Sequence, residues 1–196
     1  MQRLYNRIAR FYGHIAGELD RIIDPVIRQR IATIPDTSSS TALEYACGTG
    51  LLSLKLAPIF KSVHSKDISS KMLEIAKKSA GNSFNNLHFS EGNILAIDET
   101  EKSYDYVFVS FALHLFPLET EKTILEQLYK IARRAVFIID HDRKWRLPEA
   151  IAEWMEGSYY DQFIKFDFKS IAGQINCSSF SEEAFTRCRL LTFSKV

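Results

Sequence analysis

Cysteine is scarce in this chain: Cys47, Cys177 and Cys188 are the whole supply, odd in number and without CxxC spacing. That excludes a disulfide framework and a thiolate cluster, and it points to free thiols in a reducing, cytoplasmic setting. Long apolar runs are missing as well. The richest, Val107 to Phe116, is broken by Ser110 and His114 and falls short of the roughly 18 residues that a bilayer crossing takes, so no membrane span is expected. Arg3, Arg7 and Arg10 near the start are not followed by a continuous apolar stretch, which removes a secretory signal from consideration. Nor does one sign of charge dominate. With 25 Lys and Arg against 24 Asp and Glu, the net charge is +1, which gives no global field for nucleic acid or an anionic surface, and no nucleic-acid partner is expected. Repeats are absent, and the length of 196 residues suits one domain, 1–196.

Glycine is also sparse, at eight residues, so where two fall together the local backbone is under a special demand. Leu43-Glu44-Tyr45-Ala46-Cys47-Gly48-Thr49-Gly50 reads as an apolar strand running into a glycine turn that opens a helix. Gly48 and Gly50 permit positive φ and let a ligand lie directly against backbone. A second strand, Ser62 to Asp67, ends on a carboxylate 19 residues after Gly48, close to the roughly 20-residue offset at which an acid reaches a ribose. The pair describes a nucleoside-type cofactor site at the carboxyl edge of a parallel sheet. A dinucleotide would require G-x-G-x-x-G, and here the frame ends at Leu51. A Tyr-x-x-x-Lys pair is also lacking, so a nicotinamide-dependent oxidoreductase is disfavoured.

The pattern Glu44-x-Ala46-x-Gly48-x-Gly50, followed by Asp67-Ile68-Ser69-Ser70-Lys71-Met72-Leu73, resembles motif I and the post-strand-two signature of class I S-adenosylmethionine-dependent methyltransferases of the small-molecule type. The resemblance implies S-adenosyl-L-methionine as cofactor. Glu44, Ala46, Gly48 and Gly50 would frame its amino-acid end, with Glu44 reaching the ammonium through water or an amide. Asp67 would hold the ribose, and Ile68 and Met72 would flank adenine. Asn93 and Ile94 would complete that pocket, Asn93 standing where the family usually has an acid. Tyr5 to Gly13 resembles the family's Y-D-x-x-A-x-x-Y-D opening, which folds over the cofactor and makes Tyr5 and Tyr12 contact candidates. Ser110-Phe111-Ala112-Leu113-His114-Leu115 resembles the segment lining the transfer site, with Phe111 at the cofactor. The [DN]-P-P-[YF] box of enzymes that methylate base or glutamine amines is absent here, which argues against those acceptors.

Apolar spacing predicts an N-terminal helical cap over 1–36, as one helix from 2 to 17 and another from the Asp24-Pro25 start to Ile34. Five strands alternate with helices after it: Thr41–Ala46, Ser62–Asp67, Leu87–Ser90, Tyr104–Phe111 and Ala135–Asp140. The helix before the last of these is expected to run from Leu118 to Arg134. A substrate lid is expected over 141–175, with helices around 148–157 and 160–175, and then a hairpin of 179–185 with 187–195. This is an α/β, Rossmann-like three-layer sandwich with a seven-stranded, mainly parallel sheet and an antiparallel C-terminal hairpin.

Methyl transfer needs proximity and dryness more than a catalytic triad, and a base only for a protonated nucleophile. His114, His141 and Asp140 follow strand ends and are the candidate catalytic residues. They share no helix-spaced ligand pair with a third Cys or His nearby, so no metal is expected. Arg143-Lys144-Trp145-Arg146, with the aromatics that follow, suggests an apolar acceptor bearing an anionic group. The alternative to a small-molecule methyltransferase is a catalytically inactive cofactor-binding or regulatory protein of the same fold. The sequence does not define the oligomeric state.

Overall fold

A computed structural model describes residues 12–144, 146 and 158–195. The elements in chain order are α1 (Tyr12–Gln29), β1 (Thr41–Tyr45), α2 (Leu51–Leu56), β2 (Ser62–Asp67), α3 (Ser70–Ala80), β3 (Leu87–Glu91), β4 (Tyr104–Ser110), α4 (Leu118–Ile131), β5 (Ala132–His141), α5 (Tyr160–Lys165), α6 (Phe168–Gln174), β6 (Ser179–Ala184) and β7 (Cys188–Ser194). The sheet order is β3-β2-β1-β4-β5-β7-β6. β1 to β5 pair in parallel, and β7 joins β5 and β6 antiparallel. The strand order reverses between β1 and β4, the switch point at which an open α/β sheet leaves a crevice.

The period-two alternation of β4 decides the layers. Tyr106 and Phe108 face a core built with α1 and α2, from Ile23, Val26, Leu52 and Leu56. Val107 and Val109 face the opposite core, built with α4, α5 and α6, from Leu125, Leu128, Phe163 and Phe168. Both sides of the strand are therefore dry, as its unbroken apolar run requires. Phe108 stacks on Phe137 of β5, with ring centroids 5.1 Å apart.

Three boundaries differ from the sequence expectation. Asp24-Pro25 does not start a helix, because α1 runs straight through Pro25. Proline forfeits one backbone bond there. Burial of Ile22, Ile23, Val26 and Ile27 and the grip of Lys55 on Asp20 and Asp24, at 2.8 and 3.1 Å, hold the helix together. α4 stops at Ile131, because Ala132 is already extended and pairs with Tyr104. The long helix expected over 160–175 is two: Phe166 is extended, and the Asp167 carboxylate caps α6 by accepting the Lys169 N–H. The helix expected around 148–157 lies outside the described residues, as do Tyr5 and Trp145.

Candidate functional site

The turn after β1 is built from residues with positive φ: Ala46 at 55°, Gly48 at 54° and Gly50 at 80°. Each glycine has its own reason. A Cβ on Gly50 would come within 2.9 Å of the Ala76 Cβ and 3.2 Å of the Phe89 ring, so that residue is small to let α3 and β3 close against the turn. A Cβ on Gly48 would meet nothing within 4 Å. Its bareness serves the cavity it faces.

Asp67 locks this turn to the next one. Its Oδ2 accepts the Gly48 N–H and its Oδ1 the Ser69 N–H, both at 2.8 Å. Burial pushes the Asp67 carboxyl up from its ordinary value, while backbone N–H groups of Ser69, Gly48 and Ile68 pull the other way. The Ser69 hydroxyl then accepts the Met72 N–H and starts α3. Two donors thus fix the carboxylate in place at the end of β2, with its remaining lone pairs beside the cavity.

The cavity, of about 170 Å³, opens at the switch point. Eight of the residues expected at the cofactor line it: Ala46, Gly48, Asp67, Ile68, Met72, Asn93, Ile94 and Phe111. Gly50 supports it from below. The Asn93 side-chain oxygen also accepts the Leu95 N–H at 3.0 Å, so it shapes its own turn while facing the cavity. Tyr5 lies outside the described residues, and Tyr12 is described only as the first residue of α1.

Glu44 departs from expectation. It is fully buried and does not line the cavity. Its Oε2 accepts hydrogen bonds from the hydroxyls of Ser53 and Ser65, and its Oε1 has no partner among the described residues. Burial raises its pKa to about 8, and the hydroxyl of Ser53 opposes that. Glu44 therefore braces the cavity floor between β1, α2 and β2 rather than forming its wall.

Leu19 and Ile23 of α1, together with Leu51, Leu52, Leu115 and Phe116, also line the cavity, and the sequence reading missed them. Leu19 and Ile23 stand four apart, a helical spacing. They went unseen because they fell in the gap between the two helices expected there.

His114 is not beside the cavity. Its neighbours Ala112 and Leu115 line the wall, while His114 itself is buried and turned to Asp140, with Nδ1 and Oδ1 2.6 Å apart. Asp140 also accepts the backbone N–H groups of His141 at 2.8 Å and of Leu113 at 3.1 Å. Burial pushes the Asp140 carboxyl up, but the charge and hydrogen bond of His114 outweigh it and hold the acid below its ordinary value. The His141 ring meets His114 edge-on at 4.6 Å, Tyr160 at 4.9 Å and the cavity-lining Phe111 at 5.5 Å. The three candidates thus form one cluster, separated from the cavity by Phe111.

The basic run after β5 is paired. Arg143 binds Glu182 through two 2.7 Å bonds, and Arg146 binds Asp142 at 2.8 and 2.9 Å. Neither guanidinium is an open anion receptor.

The site fits an adenosyl group. An oriented carboxylate, bonded to the N–H of a bare glycine turn, shares one cavity with the apolar side chains of Ile68, Met72 and Ile94. With a parallel sheet that reverses order at this point, these features are those of the class I S-adenosylmethionine-dependent methyltransferase fold. Residues 42–135 match the family model described as a methyltransferase domain.

The chain is 34% identical over 100 residues to a demethylmenaquinone methyltransferase of Oceanobacillus iheyensis, covering 49% of this chain and 41% of the relative. It is 24% identical over 139 residues to the same enzyme of Anoxybacillus flavithermus, covering 65% and 58%. It therefore spans about half the length of these curated relatives. Among solved structures, magnesium protoporphyrin IX methyltransferase from Synechocystis PCC 6803 with bound SAH superposes with a TM-score of 0.70 at 21% identity, over 90% of this chain and 83% of that one. A SAM-dependent methyltransferase from Aquifex aeolicus gives 0.65 at 16% identity, over 92% and 97%.

Proposed function

We propose that this protein transfers the methyl group of S-adenosylmethionine to a small, largely apolar acceptor. The observation that carries the reading is the cavity itself, in which Asp67 and the bare Gly48 turn share one space with Leu19, Leu115 and Phe116. The first pair suits an adenosyl group, and the second suits an apolar molecule beside it. Both sets of similar proteins accord with this, since their named substrates, demethylmenaquinone and magnesium protoporphyrin, are small molecules.

When bound, the cofactor supplies a methyl carbon on a positively charged sulfur. The chain's own task is to hold donor and nucleophile close and dry. Orientation of this kind accounts for several kcal/mol of a barrier, and the apolar wall excludes the water that would compete. Asp67, fixed by two backbone donors, would hold the sugar, and the Gly48 turn and Phe111 would face the rest of the cofactor. Of the polar cluster behind Phe111, His141, the half-buried member, is the one we assign to take up a proton that the acceptor sheds, with the buried His114 and Asp140 behind it as its support. We assign the N-terminal region through residue 36 as the cap of the site and 141–175 as its substrate lid. No helix among the described residues is long and apolar enough to cross a membrane. The free thiols and balanced charge accord with a cytoplasmic enzyme that does not act on nucleic acid.

Calorimetry with the demethylated cofactor tests the proposal. Wild-type protein should bind it, and Asp67→Ala should weaken binding at least about tenfold, since a charge-assisted hydrogen bond contributes roughly 1.5–3 kcal/mol. Unchanged affinity in that variant would end the reading. Binding without methylation of any member of a panel of apolar hydroxyl, thiol and quinol-type acceptors would favour a cofactor-binding protein instead.

A further inference from the structure

His114, Asp140 and His141 each offer one ligand atom, and the three atoms lie within 4.8 Å of one another. No helical spacing announces them. The 3-10 turn Leu113–Leu115 delivers His114, and the end of β5 delivers Asp140 and His141. From this convergence we propose that the cluster binds a single divalent transition-metal ion of the zinc or cobalt class, with Glu121 as the neighbouring carboxylate that balances its charge.

The ligand chemistry selects the ion. Two imidazoles and one carboxylate suit Zn(II), Co(II), Ni(II) or Fe(II) rather than Mg(II) or Ca(II), which take oxygen ligands. Asp140 is already oriented for such a role. The N–H groups of Leu113, His114 and His141 all point at its carboxylate, the kind of support that holds a metal ligand in place. The 2.6 Å contact between His114 Nδ1 and Asp140 Oδ1 shares a proton, and an ion would take that proton's place. Bonds of about 2.0–2.1 Å at tetrahedral angles need those two atoms about 3.3 Å apart, a shift of under an ångström. Binding should therefore release a proton.

Glu121 is the second, independent observation. It stands in the first turn of α4, is fully buried, and neither of its carboxylate oxygens has a hydrogen-bond partner among the described residues. Such a group is costly to leave unmatched and calls for an ion or a water. Its electrostatic neighbours are Asp140, His114 and Arg189. Arg189, opposite Asp140 across the β5–β7 ladder, is committed elsewhere. Its guanidinium bonds Glu182 and the Phe163 carbonyl and lies between the Phe163 and Phe168 rings. Asp140 is thus paired with His114, whereas Glu121, in the same buried region, has no hydrogen-bond partner among the described residues.

His141 is the half-buried member, so the approach is from its side. One aromatic ring, Phe111, separates it from the cofactor cavity. An ion there is placed to hold a hydroxyl or thiol acceptor and lower its pKa. The binding claim stands apart from the methyltransferase reading and can fail or hold without it.

The test is to strip the purified protein with a chelator and titrate it with Co(II), reading visible d–d absorption, with Zn(II) as competitor and proton release followed in weak buffer. The expected result is one ion per chain, displaced by zinc. Affinity should fall at least tenfold in Glu121→Gln and in His141→Ala, and stay unchanged in His64→Ala, which breaks the His64–His88 ring pair elsewhere on the sheet. Glu121→Gln keeps the side chain's shape and serves if His114→Ala does not fold, with circular dichroism of the metal-free variants as the check. Absence of a cobalt spectrum would overturn the proposal. So would a spectrum that survives both cluster variants or disappears in His64→Ala.

Discussion

Gly48 and Gly50 stand two residues apart in one turn, both at positive φ, yet adding the same methyl group to each should give opposite results. An L-residue in this region costs about 1–2 kcal/mol at either position. At Gly50 the new Cβ also lands 2.9 Å from the Ala76 Cβ and 3.2 Å from the Phe89 ring, and overpacking of this kind costs about 1–3 kcal/mol more. Gly50→Ala should therefore lose about 2–5 kcal/mol, a fall in melting temperature of roughly 6–15 °C for a chain of this size. Gly48→Ala has open space around its Cβ and should lose only about 1–2 kcal/mol. The open space is the ligand's, however, so Gly48→Ala should bind demethylated cofactor at least about tenfold more weakly in calorimetry, a loss of about 1.4 kcal/mol. Differential scanning fluorimetry without ligand, then calorimetry with it, separates the two effects. Equal melting temperatures for the two variants would refute the packing argument, and full affinity in Gly48→Ala would refute the cradle.

Glu44 should give the fold a pH dependence of its own. Its carboxyl titrates near about 8 when folded, against an ordinary 4.5, so the native state holds a proton that the unfolded chain has released. Stability from this group is complete below about pH 4.5 and is lost as pH rises through about 8, with an upper limit near 5 kcal/mol at about 1.36 kcal/mol per pH unit. Urea melts from pH 5 to 9 should show a shallower decline for Glu44→Gln than for wild type, and parallel curves would contradict the assignment. Asn86 donates to the carbonyls of Ala57 and Phe60 at 2.8 and 2.9 Å. Asn86→Ala should thus cost about 1–2 kcal/mol, seen as an earlier chemical denaturation midpoint with cofactor binding unchanged.

The strands could be read from sequence because each carries its own signature. Ser62–Asp67 ends on a carboxylate at a fixed offset from the glycine turn, Tyr106 to Val109 is a continuous apolar run, and the glycine turn is spelled by residue type. Much of the cavity lining followed, since Asp67, Ile68, Met72 and Ile94 sit at fixed offsets from strand ends. What stayed hidden depends on partners remote in the chain. Lys55, about thirty residues on, holds α1 intact across Pro25, so the apparent break at Asp24-Pro25 misled and concealed Leu19 and Ile23 as cavity residues. Glu44 looked like a ligand contact because its position in the motif says nothing of Ser53 and Ser65, which draw it under the floor. The convergence of His114 with Asp140 and His141 needs two adjacent parallel strands to end at the same level, which no local pattern encodes.

β7 lies between β5 and β6 although it follows both in the chain. It supplies Leu190, Leu191 and Phe193 to the interior and sets Arg189 across from Asp140 and Cys188 across from His141. The strands that carry the cavity, β1 to β4, pair with one another and with β5 without any residue of β7. Removal of 188–194 would therefore spare the cavity's own ladder and bare the edge of β5 at Asp140 and His141.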